Sequence, residues 1–238
     1  YTALIPNLRG LDRALAVELD EVNVVMSVSQ AHNMANLRMT CEDSLKQFRG
    51  ICMNRGSLRV NGTLATSFGC PFTGAVRPSV VVDRAKRFLD AGIDSLSLAD
   101  TIGTATPHQV FELCSNVIDT CPGVEVTLHL HNTRGLAIAN AMSGISAGIR
   151  RLDASLGGIG GCPYAPGATG NVCTEDLVHA LIFDGYQCAV DLDSLIAVSC
   201  DLQALLADPL PGLVHLAGPK TTTHPMSDEL KSRLGLVP

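Results

Sequence analysis

The chain has no run of lysine and arginine, and its 238 residues carry a formal net charge of −6. Without a basic stripe, neither nucleic acid nor an anionic membrane surface is the expected partner, so an anionic substrate has to be held locally. No apolar stretch approaches the ~20 residues that cross a bilayer, and no leader pattern opens the sequence. No Cys-x-x-Cys pair occurs among nine scattered cysteines. That usage fits reduced thiols, mostly filling core space, in a reducing compartment. The sequon Asn61-Gly62-Thr63 therefore has no secretory context and reads as accidental. Gly-Lys-Ser/Thr is missing as well, and Ile5-Pro6-Asn7-Leu8-Arg9-Gly10 is not the glycine-rich turn of a dinucleotide fold. With 46% hydrophobic residues, the chain is nevertheless long enough to bury a sizeable core.

What is present is a regular alternation. Short runs of β-branched or alternating residues, bounded by Pro, Gly, Asn or Asp, predict strands near residues 1–5, 21–27, 58–66, 95–99, 124–131 and 151–156. Helical patterns over 8–19, 30–49, 78–91, 107–119 and 136–148 separate them, and two more follow at 175–183 and 192–207. Ser29 is placed to cap the second helix, Pro78 and Pro107 stand where a first-turn proline is tolerated, and Gly92 and Gly148 follow last turns. Residues 226–236 read as one more helix. Repeated βα units imply a parallel sheet covered by helices. Polar residues gather just after several strands, at Asn7, Ser27, Ser67, Asp100 and His131, and functional rims of that kind belong to barrels. The fold class is therefore α/β, a (β/α)8 TIM barrel with six βα units present, taken as one partial barrel domain over 1–238.

Two stretches carry candidate chemistry. Residues 157–176, GGIGGCPYAPGATGNVCTED, combine a glycine cluster, a cysteine before proline and an asparagine ahead of a helix start. Such a loop reads as a lid or binding loop, or as a plain surface crossover with an unreactive cysteine. His129-Leu130-His131 closes the fifth strand, and the period of two puts both imidazoles on one face. They suit a divalent ion, or are satisfied core or surface histidines. With amide and carboxylate oxygens nearby and no thiolate pair, Mg²⁺ or Mn²⁺ is favoured, with Zn²⁺ as an alternative. Asn171 is the best third ligand; its other role is an N-cap for the helix beginning near Thr174.

LHLHNTRG, RRLDASLGGIGGCPYAPGATGNVCTEDLV, SLADTIGTATP and TSFGCPF closely resemble the 3-hydroxy-3-methylglutaryl-CoA lyases, metal-dependent TIM-barrel enzymes, over residues 1 to about 203. The resemblance implies His129, His131 and Asn171 as metal ligands, Cys162 as a catalytic cysteine, Asp100 in the active site and Glu175 close by. It implies cleavage of 3-hydroxy-3-methylglutaryl-CoA to acetyl-CoA and acetoacetate, as in leucine degradation. Asp100 or a histidine would act as base, and Cys162 would deliver the final proton, with Cys173 its main rival among the thiols. The expected partner is a small acyl-CoA, with no nucleic acid and no membrane, in a homodimer when full length. The expected location is cytoplasmic, or the mitochondrial matrix in a eukaryote.

The family opens with a strand ending in Arg-Asp-Gly, whose Asp is a metal ligand, and a second strand supplies a glutamate. Neither is found here, so Tyr1 is expected to align with the third barrel strand and the six units to be the third to eighth. Glu18-Leu19 and Asn132 are smaller departures. An acyl-CoA condensing enzyme or pyruvate-type aldolase on the same scaffold is the nearest alternative, although those relatives usually lack the GGCP loop, so Cys162 argues against them. A non-catalytic truncated chain is the other.

Overall fold

The computed structural model describes residues 1–161 and 170–236. Six strands, β1 (Thr2–Leu4), β2 (Glu21–Ser27), β3 (Arg59–Ala65), β4 (Ser95–Asp100), β5 (Glu125–Leu130) and β6 (Arg151–Asp153), pair in sequence order and all in parallel. Helices α1 (Leu8–Ala16), α2 (Gln30–Leu37), α3 (Cys41–Asn54), α4 (Pro78–Asp90), α5 (Pro107–Thr120) and α6 (Ala137–Ser146) fill the crossovers. Each step advances by one strand in the same direction, which curls the sheet into a half-barrel instead of doubling it back on itself. A turn of 3₁₀ helix (Leu156–Gly158) follows β6, and helices α7 (Thr174–Phe183), α8 (Leu192–Leu205), α9 (Val214–Ala217) and α10 (Asp228–Arg233) complete the described chain.

Alternation along the strands separates two faces. Val22, Val24 and Met26, then Val60 and Leu64, then Leu96 and Leu98, then Val126, Leu128 and Leu130 are buried in a core shared with Leu45, Ile51, Phe88 and Val117 from the helices. Each such side chain contributes ~1.5–3 kcal/mol by leaving water. Gly62 belongs to this face because a Cβ there would stand 2.4 Å from the Phe88 ring, so α4 approaches β3 only over a glycine. The other face is polar and internally bonded. Asn61 donates to Asn23 (3.2 Å) and to Ser97 Oγ (2.8 Å), Thr63 donates to Asn23 (2.9 Å), and Ser95 donates to Asn61 (3.0 Å). Asn61 is thus a buried rung of the sheet, in keeping with an accidental sequon.

The expected single helix over 30–49 is two helices. Arg38 takes φ +56°, and Thr40 starts α3 by accepting the Asp43 N–H, with Glu42 and Asp43 in its first turn. Apolar spacing runs on across the break, so periodicity conceals it; the Thr-x-x-Asp cap signals it. Asn33 holds the break closed, donating to Met39 O and Ser44 Oγ (both 3.0 Å) while accepting the Ser27 N–H (2.9 Å). Ser29 caps α2 as expected. The expected strand over 151–156 ends at Asp153, and residues 226–236 contain α10, capped by Ser227.

Candidate functional site

The carboxyl ends of β2 to β5 are stitched together by side chains of the loops that leave them. The Thr66 hydroxyl receives the Ser29 N–H (3.3 Å), and the Thr101 hydroxyl receives the Thr66 N–H (2.7 Å). At β4, Asp100 is buried and accepts the backbone N–H of Thr104 on one oxygen and of Ala105 on the other, both at 3.0 Å. Burial pushes this carboxyl up, against the pull of those N–H groups and of Arg134. Arg134, from the β5 loop, donates to the carbonyl of Ile102 (2.7 Å) and so ties the two rims together. Gly103 takes φ +60°, and a Cβ there would lie 2.9 Å from the His131 carbonyl. Only glycine brings the β4 loop this close to the end of β5.

His129 and His131 stand side by side on the polar face, ring centroids 5.3 Å apart, with Leu130 buried behind them. Residues 170–172 run alongside. The Asn132 N–H donates to Gly170 O (3.1 Å), the Val172 N–H donates to Leu130 O (2.9 Å), and Asn171 bridges to His131. The structure therefore brings the three expected ligands together across a sequence gap of forty residues. Asn171 is not a cap: Cys173 precedes α7 and makes no side-chain cap, while Asn171 Nδ2 donates to Ile159 O (3.0 Å). Its Oδ1 and the Nδ1 of His131 are buried with no hydrogen-bond partner. Burial and the neighbouring His129 push the His131 ring down to about 4, so it is neutral with a free lone pair at physiological pH. Two orphaned donors beside a second imidazole form a set that a divalent ion fits. Among the described residues no three His, Cys, Asp or Glu side chains assemble into a metal cluster, and the third group beside the two rings is the Asn171 amide.

The remaining candidates are distributed unevenly. Glu175 is fully buried in the first turn of α7, where its oxygens accept the Gly157 N–H (3.1 and 3.0 Å) and the Ser199 hydroxyl. Cys173 is buried and its thiol is pushed far up, chiefly by burial. Cys162 lies outside the described residues. Sequence reasoning missed Asp153, whose carboxylate lies 3.3 Å from His129 Nδ1 because β6 pairs with β5 in the register His129↔Asp153. Such a contact orients the ring and sets its tautomer. A sheet register was the signal needed, and a single strand's pattern does not contain one.

A pH effect follows from His131. Its folded pKa of about 4 is depressed from 6.5, so protonation favours the unfolded chain. The associated stability is present above pH 6.5 and is lost as pH falls toward 4. In EDTA, the melting temperature should drop over that window, and His131→Asn should flatten the drop. An unchanged slope in the variant would show that His131 is not the group responsible.

The fold and rim together define a barrel-type α/β protein that presents its functional groups at the carboxyl ends of its strands. The HMGL-like family model matches residues 1–202. (R)-citramalyl-CoA lyase of Chloroflexus aurantiacus is 46% identical over 221 residues, 92% of this chain and 70% of that protein. Hydroxymethylglutaryl-CoA lyase of Pseudomonas mevalonii is 39% identical over 211 residues, 87% of this chain and 69% of that protein. An HMG-CoA lyase structure from Acinetobacter baumannii, in complex with coenzyme A and 3-methylmalate, superposes with a TM-score of 0.92 at 45% identity, covering 95% of this chain and 75% of that one. The chain belongs to the HMGL-like family.

Proposed function

We propose that this protein is a carbon–carbon lyase that cleaves 3-hydroxy-3-methylglutaryl-CoA to acetyl-CoA and acetoacetate. The observation that carries this reading is the juxtaposition of His129, His131 and Asn171, with two unpartnered ligand atoms, in a chain so similar to lyases acting on tertiary 3-hydroxy acyl-CoA thioesters. His129, His131 and Asn171 would hold Mg²⁺ or Mn²⁺. The ion, when bound, supplies Lewis-acid polarisation of the substrate's oxygens.

The bond changes are those of a retro-aldol cleavage. A base takes the tertiary hydroxyl proton, a C=O forms at C3, the C2–C3 bond breaks, and its electron pair passes to C2 as the thioester enolate. An acid then protonates C2 to give acetyl-CoA. We assign the base to Asp100. Its carboxyl keeps lone pairs beyond the two N–H bonds, and burial pushes it up toward the range useful for proton removal. Cys162, by the family resemblance, delivers the proton to C2, and Glu175 supports the site from the first turn of α7.

A second substrate is favoured by the 46% identity to a citramalyl-CoA lyase. (R)-citramalyl-CoA has one methylene fewer, and the same bond changes release pyruvate in place of acetoacetate. One methylene in a pocket is worth about 10–200-fold in kcat/KM. Purified protein with Mn²⁺ is assayed against both thioesters, following acetyl-CoA and the keto acid. We expect 3-hydroxy-3-methylglutaryl-CoA to be preferred by at least roughly 10-fold. The reverse ratio reassigns the substrate, and no cleavage of either overturns the lyase reading. By the family resemblance, a cytoplasmic homodimer is the assembly in which we expect this activity.

A further inference from the structure

We propose that Ser199 and Glu175 are positioning residues for Asn171, acting through the Leu156–Gly158 turn, so that altering either one weakens divalent-ion binding without touching a ligand. The inference rests on the metal reading above and adds to it residues from α7 and α8, which lie outside the rim of β4 and β5.

Glu175 is a buried carboxylate with little freedom. Burial alone pushes it up, yet the Ser199 hydroxyl, the α7 backbone, the Cys173 thiol and the Gly157 N–H together hold it below the ordinary carboxylate range. An ionised group in that place is tolerated only while its hydrogen bonds stay made, since an unpaired buried charge is costly. The turn that carries Gly157 is therefore anchored. Its other side is anchored too: the Gly212 N–H donates to Gly157 O (3.0 Å), and Gly157 has φ +64° with Leu210 where a side chain would be. A displacement of the turn would break both attachments.

The end of that turn holds the amide. Ile159, two residues beyond Gly157, accepts from Asn171 Nδ2 at 3.0 Å. With Nδ2 engaged, Oδ1 is the atom left over, and it is the one found buried and unpartnered. Gly160 leaves space for this arrangement, because a Cβ there would stand 2.6 Å from Nδ2. The Gly170 N–H donates to Gly160 O (2.8 Å) and closes the link to the Asn171 backbone. The connection thus runs from Ser199 to Glu175, to Gly157, to the Ile159 carbonyl and to the Asn171 amide. It leaves the amide oxygen, with its lone pairs, as the end that would face an ion.

Asp176, the next residue, provides a control. Its carboxylate accepts from Leu213 (3.0 and 3.1 Å) and Val214 (2.7 Å) and so holds the start of α9. The test is Mn²⁺ titration of the intact protein, read by the electron paramagnetic resonance of free Mn²⁺, with a thermal melt for each variant. Supporting-residue losses cost roughly 10–100-fold in metal affinity. We expect Ser199→Ala and Glu175→Gln to weaken Mn²⁺ by about 10-fold, Ser199→Thr to restore affinity, and Asp176→Asn to lower the melting temperature with Mn²⁺ affinity unchanged. In an Asn171→Ala background, Ser199→Ala should have no further effect. Wild-type affinity in Ser199→Ala and Glu175→Gln, with His131→Ala still binding poorly, overturns this inference alone. An equal loss with and without Asn171 also overturns it, because general loosening would then be the cause. Unchanged affinity in His131→Ala and Asn171→Ala removes the metal reading, and this inference with it. Should Glu175→Gln fail to fold, the Ser199→Ala and Ser199→Thr pair decides, since it differs by one hydroxyl-bearing group.

Discussion

His131→Ala should abolish turnover and lower Mn²⁺ affinity by orders of magnitude, and His129→Ala should do the same. The two rings lie 5.3 Å apart on one face of β5, and His131 is held neutral by burial and by its neighbour, so it can offer a lone pair without first losing a proton. Truncating either removes an imidazole from a set that has only one other ring. Asn171→Ala should weaken binding less, because a neutral amide oxygen binds an ion less strongly than an imidazole nitrogen does. Calorimetric titration with Mn²⁺ gives the three affinities directly. Equal, wild-type affinity in all three would remove the ion from this rim and leave the polar face as a hydrogen-bonded lining only.

Cys162→Ser is the second large expected effect. By the family resemblance this thiol protonates the departing enolate, and a serine hydroxyl is a far weaker acid, so kcat should fall by roughly 10²–10⁴-fold. Mn²⁺ affinity and KM should stay near wild type, since no ligand changes. Cys173→Ser should keep turnover, because Cys173 is buried, its thiol is pushed far above the ordinary range, and its sulfur lies 2.5 Å from where a Cβ of Gly212 would be. It packs against a glycine and bonds to Glu175, a bond that a serine hydroxyl also makes. Steady-state kinetics on both variants separate the two cysteines. Equal losses in both, or none in either, would move the acid to another group.

Much of this architecture is legible in single stretches of sequence. Strands β2 to β5 begin and end within a residue or so of where β-branched alternation and flanking Gly, Pro and Asn place them, because parallel strands packed under helices need an apolar residue at every second position. The His129-Leu130-His131 pattern places two rings on one face by geometry alone. The break between α2 and α3 is not legible in this way. Apolar periodicity continues through Arg38, and what ends α2 is Asn33, bonding to Met39 and Ser44 from the far side of the break.

The sequence by itself determined the period of the elements, the scattered cysteines, the polar rim and the motifs that resemble a lyase family. Each is a local property, set by dihedral preference, side-chain alternation or composition within a few residues. Tertiary structure alone decided which rim groups meet. Asp153 reaches His129 only because β6 pairs with β5 in one register, and Asn171 lies beside His131, not at a helix cap, because its segment bridges to the end of β5. Ser199 bears on the site only because a buried carboxylate from α7 requires its hydroxyl. Hydrogen bonds between distant segments depend on where packing leaves each partner, and that placement is a property of the whole fold.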